Sequence, residues 1–245
     1  MIFMKIIRNG LLAFVLGTGV LAGCGDTDET GVSDIYAVNT SAPATLEGKA
    51  IAFVVDTSSS MNEKLNGERK IESAKKSLQL ILQDYEVYAR NNQNIKIGLL
   101  FYDGSSVRAA FPMQNFSQAI KEEVSKLESS GGPPIGISLA YSERELDKTG
   151  YFNKSIVLLT DGENTVGKSP DVVFKSIIDS NKNGGDSSTQ LYIIAFDTDA
   201  GNFKSMKALG AELYNADNGR ELSEVLKDNT ALILEEPPVY LPSNQ

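Results

Sequence analysis

The chain contains no histidine and no tryptophan, and its single cysteine is Cys24. Without histidine there is no Ser-His-Asp or Cys-His catalytic group, no His-ligated zinc and no histidine pH switch. One cysteine excludes an intramolecular disulfide and a thiolate metal cluster. Positive charge is also short: 23 Lys and Arg against 32 Asp and Glu leave a net charge of −9. A nucleic-acid binder needs a basic face to neutralise phosphates, so no nucleic-acid partner is expected. What is left is chemistry done with carboxylates, hydroxyls and backbone, which is the chemistry of hard cations. The 245 residues, 41% hydrophobic and 22% charged, suit one mid-sized α/β domain plus attachments, or at most two small domains.

The first residues do not read as part of a fold. Lys5 and Arg8 give a positive start, and an apolar run from Leu11 to Leu21 is broken by small residues. The run is short for a membrane span. Positive charge, a short apolar stretch and small residues before a cleavage point describe a secretory signal over residues 1–23. The sequence Leu21-Ala22-Gly23-Cys24 resembles the lipobox of bacterial lipoproteins. That resemblance implies a lipidated Cys24 at the mature N-terminus and a protein anchored in the bacterial cell envelope. An ordinary signal peptide or a single membrane anchor is the alternative. Gly25 follows the cysteine, and Asp26 comes one place later. By resemblance to Gram-negative sorting patterns, an Asp directly after the cysteine favours the inner membrane, so Gly25 points to the outer membrane. Cleavage would leave 222 residues and, with Lys5 and Arg8 gone, a net charge of −11. Acyl chains would supply the membrane affinity, so the body need not be basic or amphipathic.

Residues 24–48 are polar and small, without helical or strand period, and read as a flexible tether. From Lys49 to residue 236 the pattern alternates. Expected strands are 50–55, 95–102, 106–111, 155–160, 191–196 and 212–215, and expected helices are 67–91, 116–127, 135–146, 171–178, 203–209 and 219–234. Pro237 and Pro238 open a loose tail to residue 245. Strands alternating with helices imply an α/β fold: a doubly wound, mainly parallel sheet with helices on both faces. The Asp103-Gly104 turn would add one antiparallel edge strand. Three expected strands run into aspartates, Asp56, Asp161 and Asp197. In open α/β sheets ligands bind beyond the carboxyl ends of the strands, where strand order reverses.

Directly after the first strand come Asp56, Ser58 and Ser60, spaced i, i+2, i+4. In an extended loop this spacing turns three oxygen side chains the same way. A carboxylate with two hydroxyls suits Mg²⁺, which takes few carboxylates and keeps waters, and Asp161 from another strand end would add a second carboxylate. Here the chain resembles the von Willebrand factor type A family over about Lys49 to Glu235. The family's Asp-x-Ser-x-Ser motif matches Asp56, Ser58 and Ser60. Its Thr-Asp-Gly segment matches Thr160, Asp161 and Gly162, and its Gly-Gly-Thr-Pro-Ile-Gly-type loop matches Gly131, Gly132, Pro134, Ile135 and Gly136. The resemblance implies a Rossmann-like fold and a metal-ion-dependent adhesion site (MIDAS), holding Mg²⁺, or else Mn²⁺ or Ca²⁺. An open metal position would take an acidic side chain of a partner protein.

One departure stands out. The family's metal-ligating threonine falls at Pro133, which has no hydroxyl. Either water fills the place, or Ser129 or Ser130 turns inward, or the ion is held weakly. The site residues expected for metal are Asp56, Ser58, Ser60 and Asp161, with Ser129 and Ser130 as possible contributors; no catalytic residue is expected. The alternative for this region is a serine-rich loop that caps the following helix.

Gly162 to Ser169 also fits Gly-x-x-x-x-Gly-Lys-Ser, the phosphate-cradling P-loop, and stands between a strand and a helix. A nucleotide hydrolase is therefore the rival reading, and a structural scaffold with a vestigial metal site is another. Against the hydrolase, Asp161 and Glu163 put negative charge where phosphates would sit, and Pro170 removes a backbone N–H from the helix start. A secretory signal would also carry the chain away from ATP. Gly136 to Ala140 is faintly similar to a nucleophile elbow, but there is no histidine to activate Ser138. Asp197 and Asp199 read as loop and helix-cap residues before a second acidic site. The expectation is a non-enzymatic, envelope-anchored module that binds a protein through a divalent cation, with no small-molecule substrate.

Overall fold

The structure is a computed structural model and describes residues 35–38, 44, 46–103, 106–184 and 189–235. The leader at 1–23, Cys24, most of the tether and the tail at 237–245 lie outside the described residues. Among the described residues, no helix is long and apolar enough to cross a membrane.

The sheet is built on β1 (Leu46–Val55). It pairs in parallel with β4 (Ile95–Asp103) on one side and β6 (Tyr151–Thr160) on the other. Beyond β6 come β7 (Gln190–Phe196) and β8 (Glu212–Ala216), both parallel, and beyond β4 comes β5 (Ser106–Asn115), antiparallel. The order is β5-β4-β1-β6-β7-β8 among the described residues. The expected fold class is what the structure has: a mainly parallel sheet with one antiparallel edge strand.

The continuous apolar run of β1 follows from burial on both faces. Ile51, Phe53 and Val55 enter one core with α1 (Lys70–Asn91), α2 (Ala119–Ser125) and α6 (Gly219–Glu235). Ala50, Ala52 and Val54 enter a second core with α3 (Ile135–Asp147), α4 (Pro170–Gly184) and α5 (Lys204–Ala208). Strands β6 and β7 alternate in the same way. Helix α1 faces the first core with Ile71, Ala74, Leu78, Ile81, Leu82 and Tyr85, the stripe its period dictates. Ring against ring, Tyr85 meets Phe53 edge-on at 5.4 Å. Lys49, buried on the first-core side of β1, donates from Nζ to the Ile233 carbonyl at 2.7 Å and so satisfies a late carbonyl of α6.

Several boundaries differ from expectation: β6 begins at Tyr151 rather than 155, α4 runs to Gly184 rather than 178, and α2 is confined to Ala119–Ser125. The helix expected from residue 67 starts at Lys70, because residues before it form a small hairpin, β2 (Lys64–Leu65) and β3 (Glu68–Arg69). Its turn is Asn66-Gly67, both at positive φ (52° and 89°), the chemistry of a two-residue hairpin turn. Strand β1 begins at Leu46, so the ladder reaches into the stretch read as tether. Strand β5 runs past Pro112 to Asn115 through register shifts against β4. A proline is tolerated there because β5 is an edge strand. Gly98 lies opposite, and a Cβ on it would sit 2.4 Å from the Met113 sulfur.

Candidate functional site

The chain leaves β1 toward β4 and returns to lay β6 on the other side, so strand order reverses between β1 and β6. Asp56 and Asp161 follow these two neighbouring strands, and the Asp56 amide donates to the Leu159 carbonyl at 2.8 Å. The topology thus carries both carboxylates to the crevice where α/β sheets bind ligands.

Asp56 is fully buried. Its Oδ1 accepts from the Ser58 amide at 2.7 Å and its Oδ2 from the Thr160 hydroxyl at 2.6 Å. Burial pushes its carboxyl above the usual carboxylate range, hydrogen bonds from Ser58 and Thr160 oppose this, and the Asp161 charge adds to the rise. The Ser58 and Ser60 hydroxyls lie 2.9 Å apart, and Ser60 Oγ donates to Asp161 Oδ1 at 2.7 Å. The four expected residues therefore converge. They do so by a different route from the one expected, since the loop is not extended throughout. Ser58 is extended, but Ser59–Asn62 forms a 3-10 turn that swings Ser60 back to Ser58. Thr57 points the other way and donates to the Tyr102 carbonyl at 2.7 Å, fixing the loop to β4.

The loop with Pro133 is tied to the same place. The Ser59 amide and hydroxyl donate to the Gly131 carbonyl at 2.9 and 3.1 Å, and the Ser130 amide donates to the Thr57 carbonyl at 2.5 Å. Ser129 Oγ donates to the Ser58 carbonyl, so this hydroxyl is engaged with backbone. Ser130 is exposed and Pro133 is buried, its carbonyl accepting from the Thr165 amide at 3.2 Å.

Lys70 and Glu63 join the site, and sequence reasoning placed neither there. Lys70, 4% exposed, directs its Nζ to Asp161 Oδ2 at 3.1 Å, to Asp197 Oδ2 at 2.8 Å and to Glu63 Oε2 at 3.2 Å. Burial pulls its ammonium down in pKa, but hydrogen bonds to Asp197 and Asp161 and the Asp161 charge outweigh this and leave it raised. One signal did exist in the sequence: Lys70 opens α1, where the helix dipole disfavours a cation. Asp199, by contrast, caps the following 3-10 turn, accepting from the Gly201 amide at 2.7 Å, as read.

The P-loop resemblance meets a different outcome. The Lys168 amide donates to the Tyr36 hydroxyl at 2.9 Å, and Lys168 Nζ sits 4.6 Å from the Tyr36 ring centre. Asn164 accepts from the Gly136 amide at 3.1 Å. The loop is thus bound to α3 and to the segment at 35–38. Ser138 is buried in α3 and donates to the Ile135 carbonyl at 2.7 Å, as a helix residue does.

The donor set fits a hard cation. It contains two carboxylates and two hydroxyls, with no nitrogen or sulfur ligand. Among the described residues no group of three or more His, Cys, Asp or Glu side chains is arranged to hold a metal, so an ion here depends on the serines.

The von Willebrand factor type A domain model matches residues 50–228. The chain belongs to that family. The von Willebrand factor type A chain is 28% identical over 187 residues to the uncharacterised protein YwmD of Bacillus subtilis, covering 71% of this chain and 81% of that one. In fold it is similar to the minor pilin PilB of Streptococcus sanguinis, with a TM-score of 0.60 at 17% identity over 77% of this chain. It is also similar to proximal thread matrix protein 1 of the mussel byssus, in a structure whose MIDAS motif is occupied by zinc, with a TM-score of 0.60 at 20% identity over 81% of this chain. The chain spans 61% of the pilin and 47% of the thread protein.

Proposed function

We propose that this von Willebrand factor type A chain is a lipid-anchored envelope protein that binds a partner protein through a divalent cation and is not an enzyme. The observation that carries the reading is the convergence of Asp56, Ser58, Ser60 and Asp161 at the strand-order switch point. These four side chains would hold Mg²⁺ or Mn²⁺, with Ca²⁺ less favoured. When bound, such an ion supplies a concentrated positive charge with room for one more oxygen ligand. An acidic side chain of the partner protein matches that chemistry, since a charged oxygen is the strongest ligand a protein surface can offer it.

Each residue has a task in this reading. Thr160 and the Ser58 amide hold the Asp56 carboxylate, and Ser60 orients Asp161. Pro133 removes a hydroxyl from the ligand set, and its loop is held by the bonds from Ser59, Ser130 and Thr165. Ligand binding that required this loop to shift would have to break them. The site therefore works as a preformed receptor, with weaker ion affinity than a set including a threonine. The zinc-occupied MIDAS of the thread protein and the pilin's fold support this reading by analogy.

The lipobox at 21–24 supports attachment through Cys24, and Gly25 favours the outer membrane. The nucleotide-hydrolase reading gains nothing from the geometry, because Tyr36 occupies both the amide and the ammonium of Lys168. The test is retention of a partner from envelope extract by the intact chain. Retention should vanish with EDTA and with Asp56→Ala. A partner held equally well in EDTA would refute cation dependence.

A further inference from the structure

Three carboxylates converge beside the candidate metal site, and their meeting point is filled by a side chain. Lys70 Nζ lies 2.8 Å from Asp197 Oδ2, 3.1 Å from Asp161 Oδ2 and 3.2 Å from Glu63 Oε2. An ammonium has three donors and no acceptor, so these contacts use its full capacity. The stem is buried, with the Lys70 side chain 5% exposed, so the charge is brought to this point from within the fold and held there. Asp161 is shared: Oδ1 accepts from Ser60 and Oδ2 faces Lys70. Asp197, which meets Lys70 at 2.8 Å, has its backbone at φ 54°, a left-handed conformation uncommon for residues other than glycine.

Within the cation-binding reading, on which this rests, we propose that Lys70 is a resident cation that determines which metal the adjacent site accepts. By engaging Asp197, Glu63 and one oxygen of Asp161, it keeps them out of the coordination sphere. The metal is left with Asp56, one face of Asp161 and two serine hydroxyls. That is a small, low-charge oxygen set, suited to Mg²⁺ or Mn²⁺ with retained waters. Ca²⁺ takes six to eight oxygens and profits from added carboxylates, so it gains least while the ammonium is present. Lys70 also places positive charge next to the site, which lowers affinity for any divalent ion. Lys70 acts through Asp161 and Asp197 and is a specificity-determining, positioning residue.

The test is calorimetric titration of Mg²⁺, Mn²⁺ and Ca²⁺ into the intact chain in detergent, for the wild type, Lys70→Met, Lys70→Arg and the double variant Lys70→Met with Asp197→Asn. Lys70→Gln replaces the methionine variant if the latter does not fold, and circular dichroism checks folding throughout. The ratio of Ca²⁺ to Mg²⁺ affinity should rise about tenfold or more in Lys70→Met, because freed carboxylates favour the larger ion. Lys70→Arg should keep the wild-type ratio, and the double variant should lose much of the gain. A merely structural lysine would lower affinity for all three ions together and leave the ratio unchanged, and that result overturns the proposal. An unchanged ratio with intact wild-type binding sinks the role of Lys70 alone. Absence of binding in every protein sinks both this role and the cation-binding reading. Binding that appears only in Lys70→Met supports the role of Lys70 while refuting a loaded wild-type site.

Discussion

Lys154 carries a charge into the second core and is almost wholly enclosed. Its Nζ meets Glu143 Oε1 at 3.0 Å, Asp147 Oδ1 at 2.9 Å and Asn181 Oδ1 at 3.4 Å, and Thr189 donates to both Glu143 oxygens. Burial raises the Glu143 pKa and the Lys154 charge opposes that rise. Removing one partner strands the other in the core. Lys154→Met should therefore cost about 3–5 kcal/mol by chemical denaturation, and adding Glu143→Gln should recover part of the loss. A loss below about 1 kcal/mol would place the pair in the class of surface ion pairs. Such residues show where reading a sequence stops. Asp56, Ser58, Ser60 and Asp161 were legible because each lies at or just after a strand end, and local pattern fixes strand ends. Lys70 was not, since its partner Asp161 is 91 residues away and only the crossover topology brings them together. Its place in the first turn of α1, where the helix dipole disfavours a cation, is a local hint but names no partner.

At the scale of elements, the strands and long helices followed from hydrophobic period, because both faces of β1, β6 and β7 are buried and each helix must offer an apolar stripe. The hairpin at 64–69 escapes a reading by hydrophobic period although Asn66-Gly67 announces it, because the helical period from Ile71 onward extends too far back. The small, polar composition around residues 35–38 points to a tether. Tyr36 and Val38 nevertheless pack against the second core, and Arg144 donates to the Ile35 carbonyl at 2.8 Å. This strap bears on the loop that follows Asp161. Gly167 permits the contact: its φ is 82°, and a Cβ there would lie 1.9 Å from the Tyr36 hydroxyl. Gly167→Ala should destabilise the domain by about 1–3 kcal/mol in denaturant titration, from left-handed strain plus displaced Tyr36. Tyr36→Ala should leave the fold intact and speed proteolysis within 162–169. Equal cleavage rates in Tyr36→Ala and wild type would mean that the strap does not hold the loop.

For the whole molecule, the single cysteine and the absent histidine have related consequences. Cys24 lies outside the domain matched at 50–228, so the domain's own chemistry is left to oxygen ligands. Lipid would supply the membrane affinity, and an acidic body with a net charge of −11 after cleavage would be kept from sticking to anionic lipid surfaces. Cys24→Ser should release the protein from the membrane fraction into the soluble fraction on cell fractionation, whereas persistence in the membrane would point to an uncleaved leader as anchor. The central claim is that two strand-end aspartates and two serines form a cation receptor despite Pro133. Its most direct test is calorimetric titration of Mg²⁺ and Mn²⁺ into the intact chain beside Asp56→Ala and Asp161→Ala. Saturable binding at about millimolar ion or below in the wild type, absent from both variants, is the expected result. No binding by the folded wild type, or binding that survives both substitutions, would contradict it.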